Sequence, residues 1–158
     1  MSAAVARVDL LVWRPADADA PGDLSAGWPR VLQVRAGDAP WRLPGVLLRP
    51  GEPVRDAAAR VAYALGLGLP PRCRVLVAHR QLAASGQPVR LTFVLDGGWV
   101  GGSEVALAEG ELSPCRCRRV VHRRRWAPAG SAGSAAIDAL RVAVSLPASA
   151  PVREESHP

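Results

Sequence analysis

One long amphipathic helix, with strand-like segments before and after it, constrains the fold of this chain more than any other feature. Between Pro53 and Leu65 the apolar residues recur at helical spacing, and Gly66 follows as a stop. Asp56 and Arg60 lie four residues apart on this helix, which predicts an ion pair on its surface. Strands on both sides of a single helix predict a mixed α/β sandwich rather than a parallel, doubly wound sheet.

The strand-like segments are rich in β-branched and apolar residues and are bounded by turns that contain glycine and proline. The predicted elements besides the helix are strands at 5–13 and 30–37, a short extended piece at 41–45, an antiparallel hairpin at 73–83 and 89–98, a strand near 115–121, a linker at 123–134 and a terminal helix at 135–146. As domains we predict one compact unit at 1–128, a linker and C-terminal helix at 129–147, and a disordered tail at 148–158.

Composition bounds the class of protein. A chain of 158 residues can bury one core without disulfides, and 49% hydrophobic residues exclude an intrinsically disordered chain. The formal net charge of +6 comes from arginine alone, and with abundant alanine, glycine and proline it is typical of a high-GC bacterial genome. Arginine binds phosphate well, so a nucleic-acid face and a solvated basic surface both stay open, with the second favoured.

The three cysteines fit no disulfide pattern and indicate a reducing compartment. The N-terminal segment has neither a signal peptide nor a membrane span, so we expect a cytoplasmic protein without a membrane partner. Cys115, Cys117 and His122 are a weak zinc candidate, because structural zinc usually takes four ligands. We expect no metal there.

Glu52 and Arg60 are separated by seven residues, and the phrases "LPG", "RPGEP" and "LGL" surround them. This segment, from Gly45 to Leu67, resembles the box of the Nudix hydrolase family, G-x(5)-E-x(7)-R-E-U-x-E-E-x-G-U, where U is aliphatic. The resemblance implies a Nudix-type α/β/α sandwich with a mixed sheet, followed here by a C-terminal helix. It also implies, for an intact box, cleavage of nucleoside diphosphate derivatives with Mg²⁺ or Mn²⁺.

The box has lost its central acids. The glutamate after the arginine falls on Val61, and the metal-binding glutamate pair falls on Ala64 and Leu65. Because hard cations need several anionic oxygens, we interpret Glu52 and Arg60 as remnants of the catalytic set. We expect no cofactor, and Mg²⁺ or Mn²⁺ only in a divergent hydrolase.

Three functions follow, in order of preference. The first is a Nudix-like domain that lacks the hydrolase centre and binds at most a nucleotide-like ligand, and the second is a divergent hydrolase of nucleoside diphosphate derivatives. The third is a nucleic-acid-binding module that uses the run of arginines from Arg116 to Arg125. Arg35, Arg42 and Arg90 are the candidate ligand-binding residues.

Overall fold

The computed structural model describes residues 4–82, 85–101, 110–111, 122–147 and 150–152. This part of the chain contains seven strands, two α-helices and a short 3₁₀ helix. The elements are β1 (Val5–Arg14), β2 (Arg30–Ala36), β3 (Gly45–Leu47), α1 (Val54–Leu65), β4 (Val75–Gln81), β5 (Arg90–Trp99), β6 (Gly110–Glu111), β7 (His122–Ala127), the 3₁₀ helix (Ala129–Ala132) and α2 (Ser134–Ser145).

The strands form one mixed sheet in the order β4-β5-β1-β2-β7-β6, and β3 pairs with β1 beside this path. The central strand β1 runs parallel to β5, and its other edge is shared by two antiparallel partners. β3 lies along residues 7–9 of β1, whereas β2 lies along residues 13–14. β2 and β3 therefore pair with different parts of the same edge of β1, on either side of its middle residues.

The two α-helices cover opposite faces of the sheet. Successive side chains of β1 point to opposite sides, and each side packs against a different helix. Val8, Leu10 and Val12 of β1 pack in the cluster that contains α1. Leu11 and Trp13 pack in the cluster that contains α2. The result is an α/β/α sandwich with a mixed sheet and a C-terminal helix, which confirms the predicted fold class.

The helix predicted from the sequence is confirmed as α1, with Val54 rather than Pro53 as its first residue. Its core-facing residues are mostly small and include Ala57, Ala58 and Ala62, so the helix backbone approaches the sheet closely. Gly66 ends it in the left-handed conformation, with φ of 72°, and this conformation favours glycine. The hairpin predicted after the helix is also confirmed, as the antiparallel pair β4 and β5.

The prediction of a linker at 123–134 is wrong for its first half. Residues 122–127 form β7, which pairs antiparallel with β2 along its whole length. Trp126 is buried opposite Leu32, and the Arg14 guanidinium lies 4.5 Å from the centre of its ring. Consecutive arginines hide the alternating pattern of a strand, so the sequence resembled a solvated connection.

Three further segments either differ from the predictions or lie outside the described residues. β3 falls within a stretch rich in glycine and proline, where we predicted no regular strand. The strand predicted near 115–121 lies outside the described residues. In the segment predicted as a tail, Val152 is buried, and its backbone N–H donates to the Trp99 carbonyl at 2.8 Å.

No helix in the described ranges is long and apolar enough to cross a membrane.

Candidate functional site

The carboxylate of Glu52 accepts hydrogen bonds on both of its oxygens. Arg60 donates from Nε to Oε1 at 2.8 Å and from Nη2 to Oε2 at 2.9 Å, and the backbone N–H of Arg49 donates to Oε2 at 2.9 Å. The bond from Arg60 is the main reason that the pKa of Glu52 is lowered to about 2. Three hydrogen bonds therefore stabilise the ionised form of the Glu52 carboxylate.

The predicted pairing of Arg60 with Asp56 is wrong, because the Arg60 guanidinium pairs with Glu52 instead. The turn before α1 brings Glu52 against the second turn of the helix, where both of its oxygens meet the planar guanidinium. Such a two-point contact is stronger and more specific than a single contact along a helix. Arg60 Nη2 also donates to the Leu47 carbonyl at 3.1 Å, so one side chain joins α1, the preceding turn and β3.

The box positions do not fit a divalent cation. Mg²⁺ requires several oxygen ligands, and both oxygens of Glu52 already accept hydrogen bonds. At two positions where the family carries glutamate, Val61 and Leu65 are only 3% and 7% exposed and belong to the core. Within the described ranges, no three histidine, cysteine, aspartate or glutamate residues come together.

A second charged group lies in the N-terminal half of β1. Arg7 Nε donates to Asp9 Oδ1 at 2.6 Å, and each side chain is 15% exposed. Gly45 of β3 is the register partner of Asp9, and a Cβ atom there would overlap the carboxylate. Burial raises the pKa of Asp9, although the positive charge of Arg7 opposes this rise. Arg7 Nη2 is buried and has no hydrogen-bond partner among the residues that the structure describes.

The structure brings two of the three candidate ligand residues to this ion pair. Burial lowers the pKa of Arg42, and the positive charges of Arg7 and Arg90 lower it further, while Asp9 acts in the opposite direction. Arg90 lies opposite Val5, at the start of β1. We call Arg7, Asp9, Arg42 and Arg90 the arginine cluster. Its single carboxylate leaves two positive charges unbalanced.

The third candidate, Arg35, lies in a different group. Its guanidinium is 4.8 Å from the centre of the Trp41 ring, and the guanidinium of Arg125 is 4.1 Å from the same centre. Arg125 Nη2 also donates to Oε1 of Gln33 at 3.1 Å. Arg35 and Arg125 therefore both lie against the Trp41 ring, and within the described part of the chain no side-chain interaction joins Arg35 to the arginine cluster.

Gln33 is fully buried and anchors this stack. Its Nε2 donates to the Pro128 carbonyl at 2.9 Å and to Ser131 Oγ at 3.0 Å, while its Oε1 accepts from Arg125. The amide thus joins β2, β7 and the 3₁₀ helix. Because every polar atom of the Gln33 side chain has a partner, its burial stabilises one arrangement of these three elements.

Sequence reasoning missed Arg7, Asp9 and Gln33 as candidate site residues. Arg7 and Asp9 did carry a signal, since they are charged residues at alternate positions of an otherwise apolar strand. Such residues are seldom buried unless they are paired. Gln33 carried none, because a polar residue in an alternating strand normally faces solvent.

Comparison with solved structures assigns the fold. The MutT protein from Methanosarcina mazei Go1 superposes with a TM-score of 0.54 at 16% identity, over 91% of this chain and 94% of that one. The MutT Nudix hydrolase from Burkholderia pseudomallei gives 0.53 at 18% identity, over 90% and 97%. Shewanella oneidensis NrtR complexed with a 27mer DNA gives 0.50 at 16% identity, over 86% of this chain but 57% of that one.

No protein-family profile and no curated protein sequence matches the chain. The structural likeness is shared with MutT and Nudix proteins over most of the chain. This protein has the Nudix fold, as the resemblance of its box implied.

Proposed function

We propose that this Nudix-fold domain binds a nucleotide-like anion at the arginine cluster and lacks metal-dependent diphosphatase activity. The observation that carries the proposal is the excess of positive charge, in which Arg7 and Arg42 act on one partly buried carboxylate and Arg90 acts in turn on Arg42. Phosphate groups suit such a site, because arginine binds their oxygens through paired N–H donors.

The unpartnered Nη2 of Arg7 supports an anionic ligand independently of net charge. A buried N–H without an acceptor carries a desolvation cost, and a phosphate oxygen would remove that cost. Arg42 and Arg90 are both exposed, so they are accessible to a ligand in solution. A nucleoside diphosphate has the charge and length to reach more than one of these groups.

The residues at the box positions support the loss of hydrolysis. Diphosphate cleavage in this family depends on divalent cations that activate water, and such cations need carboxylates on the helix. In this chain Glu52 is bound to Arg60, and the helix positions that should carry acids are apolar. The anion would therefore be held by guanidinium groups alone.

The first experiment measures ADP binding by calorimetry, with a chelator present. Arg42→Gln and Arg90→Gln should each weaken binding about tenfold or more, because a charge-assisted hydrogen bond contributes about 1.5–3 kcal/mol. Arg72→Gln is the matched control, since Arg72 is exposed in the turn after α1. Equal affinities for all three variants would contradict the proposed site.

Asp9→Asn separates an electrostatic effect from structural damage. It removes the carboxylate of the cluster, so ADP should bind more tightly to this variant, whereas a disrupted site would bind ADP less tightly. The comparison needs thermal unfolding of each variant to show that it is folded.

A second experiment measures phosphate release from a panel of nucleoside diphosphate derivatives with Mg²⁺, Mn²⁺ or chelator. We expect no turnover. Metal-dependent turnover that Glu52→Gln abolishes would overturn the proposal in favour of a divergent hydrolase. Binding of DNA or RNA that falls steeply with salt would instead favour the nucleic-acid module.

A further inference from the structure

A second concave site lies at the other end of the sheet. A cavity of about 280 Å³ opens between the loop before β2, the segment that joins β7 to α2, and α2 itself. Arg30, which lines it, pairs with Arg14 at the C-terminal end of β1. The arginine cluster lies near Arg7, and seven residue steps along β1 place Arg7 about 23 Å from Arg14. The two sites share no residue.

The walls of this cavity are mostly apolar, and two arginines are among the residues that line it. Ile137 and Leu140 of α2 form one wall, with Pro29 on the loop. Arg30 and Arg141 also line the cavity and are exposed. In the described ranges neither arginine forms an ion pair. Apolar walls with a few charged groups are typical of small-ligand sites.

Trp28 is exposed at the same cavity. It is 58% exposed, whereas Trp13 and Trp99 are 4% and 7% exposed. An indole left in water forgoes much of the stabilisation that its burial would supply. Gly27, with φ of 125°, and Pro29 flank it, and a turn hydrogen bond from the Gly27 N–H to the Leu24 carbonyl holds the loop. The loop backbone thus restricts where the ring can lie.

The opposite wall is also fixed in position. It includes Pro128, whose carbonyl accepts from Nε2 of the buried Gln33 and from Ser131 Oγ. These bonds tie the segment between β7 and α2 to the centre of the sheet. A cavity whose walls are already ordered loses little conformational entropy when a ligand enters.

We propose that this cavity binds a small, flat aromatic molecule that carries one anionic group. The ring stacks on Trp28 between the apolar side chains of α2, and Arg30 and Arg141 hold the anion. The volume is just below the usual range for ligand pockets, about 300–1,000 Å³, which fits one ring system and excludes a dinucleotide or a peptide helix. A carboxylate or a phosphate would satisfy the same guanidiniums.

The test titrates the protein with 2-naphthoate and two matched probes. 2-Naphthylmethanol keeps the ring without the charge, and cyclohexanecarboxylate keeps the charge without the aromatic ring. We expect 2-naphthoate to bind at least tenfold more tightly than either, since each probe lacks one of the two interactions. 2-Naphthyl phosphate then distinguishes a site for phosphate from one for carboxylate by which of the two binds more tightly.

Variants locate the site. Arg30→Gln, Arg141→Gln and Trp28→Gln should each weaken 2-naphthoate binding about tenfold. Arg72→Gln and Arg42→Gln should leave it unchanged, because neither residue lines the cavity. All three cavity residues are exposed, so the variants should fold, and circular dichroism checks this.

Four results would overturn the proposal. Three are no detectable binding of 2-naphthoate, equal affinity for the charged and uncharged rings, and unchanged affinity in the three cavity variants. The fourth is loss of binding in Arg42→Gln, which would place the probe in the arginine cluster. A failure of ADP binding elsewhere on the protein leaves this test unaffected, because the sites share no residue.

Discussion

Replacing Gly45 with alanine tests how closely β3 packs against the central strand. The added methyl group would overlap the Asp9 carboxylate and lie 2.6 Å from the Val8 carbonyl oxygen and 2.8 Å from Arg7 Nη2. The carbonyl belongs to the backbone of β1 and cannot move without disturbing the sheet. The carboxylate can turn away only by breaking its 2.6 Å hydrogen bond with Arg7. No inexpensive relaxation is therefore open to the variant.

The expected magnitude combines three effects. Overpacking of a filled site costs about 1–3 kcal/mol, and weakening the hydrogen bond between Arg7 and Asp9 adds about 1 kcal/mol. Alanine gains roughly 0.5–1 kcal/mol over glycine within a strand. The free energy of unfolding should fall by about 2 kcal/mol, which lowers the Tm by about 4–8 °C for a domain of this size.

Denaturant unfolding at neutral pH measures this difference. Gly22→Ala is the matched control, because its added methyl group would meet only the Val144 carbonyl oxygen, at 3.7 Å. Gly22→Ala should stay within about 0.5 kcal/mol of the native protein. If Gly45→Ala proves as stable as the control, the contacts described around Asp9 do not exist in solution and the packing argument is refuted.

Three further predictions concern other buried or paired groups. The pKa of Glu52 is about 2 in the folded protein and 4.5 when the group is unpaired. The ionised Glu52 therefore stabilises the folded state above about pH 4.5, and this stabilisation is lost as the pH falls toward 2. When unfolding is measured across that pH range, Glu52→Gln should not show this loss of stability. Gln33→Leu should lower the free energy of unfolding by about 2 kcal/mol, because Arg125 loses its acceptor. Gln87 is exposed, so Gln87→Leu should change the free energy of unfolding little. Equal effects of the two substitutions would contradict the hydrogen bonds described for Gln33. Burial raises the pKa of Cys73 to about 11, so little of its thiol is ionised at about pH 8. With the other two cysteines replaced by serine, the folded protein should therefore react slowly with iodoacetamide at that pH. Comparable rates in native and denaturing buffer would argue against the burial of Cys73.

The elements that the sequence predicted well are those whose signals lie within a short stretch of the chain. α1 combines apolar residues at helical spacing with a terminal glycine, and both signals lie within fourteen residues. The resemblance to the Nudix box also indicated the correct fold, although its acids are missing. The fold depends on small apolar residues such as Ala57, Ala58 and Ala62, which are buried against the sheet. The chemistry of an intact box depends instead on carboxylates, and the sequence carries none at positions 61, 64 and 65.

The features that sequence reasoning missed depend on how the chain folds back on itself. The partner of Arg60 is set by a turn that brings Glu52 back along the helix, not by the spacing of Asp56 within it. β7 is held by pairing with β2, about ninety positions earlier, and its arginines hide the strand period. Burial of Gln33 depends likewise on the 3₁₀ helix at the far end of the chain.

The parallel pairing of β1 with β5 has a consequence for synthesis. Val5 pairs with Arg90, so the first strand waits for 85 more residues before its parallel neighbour exists. At about 5–20 residues per second, the ribosome needs about 4–17 s to make them. Until β5 is made, the edge of β1 that pairs with it lacks its partner, and the apolar run from Leu10 to Trp13 lies along that edge, where an unpaired strand can pair with other chains. Charged residues on both sides of the run, Asp9 before it and Arg14 after it, act as gatekeepers against aggregation while the nascent chain grows.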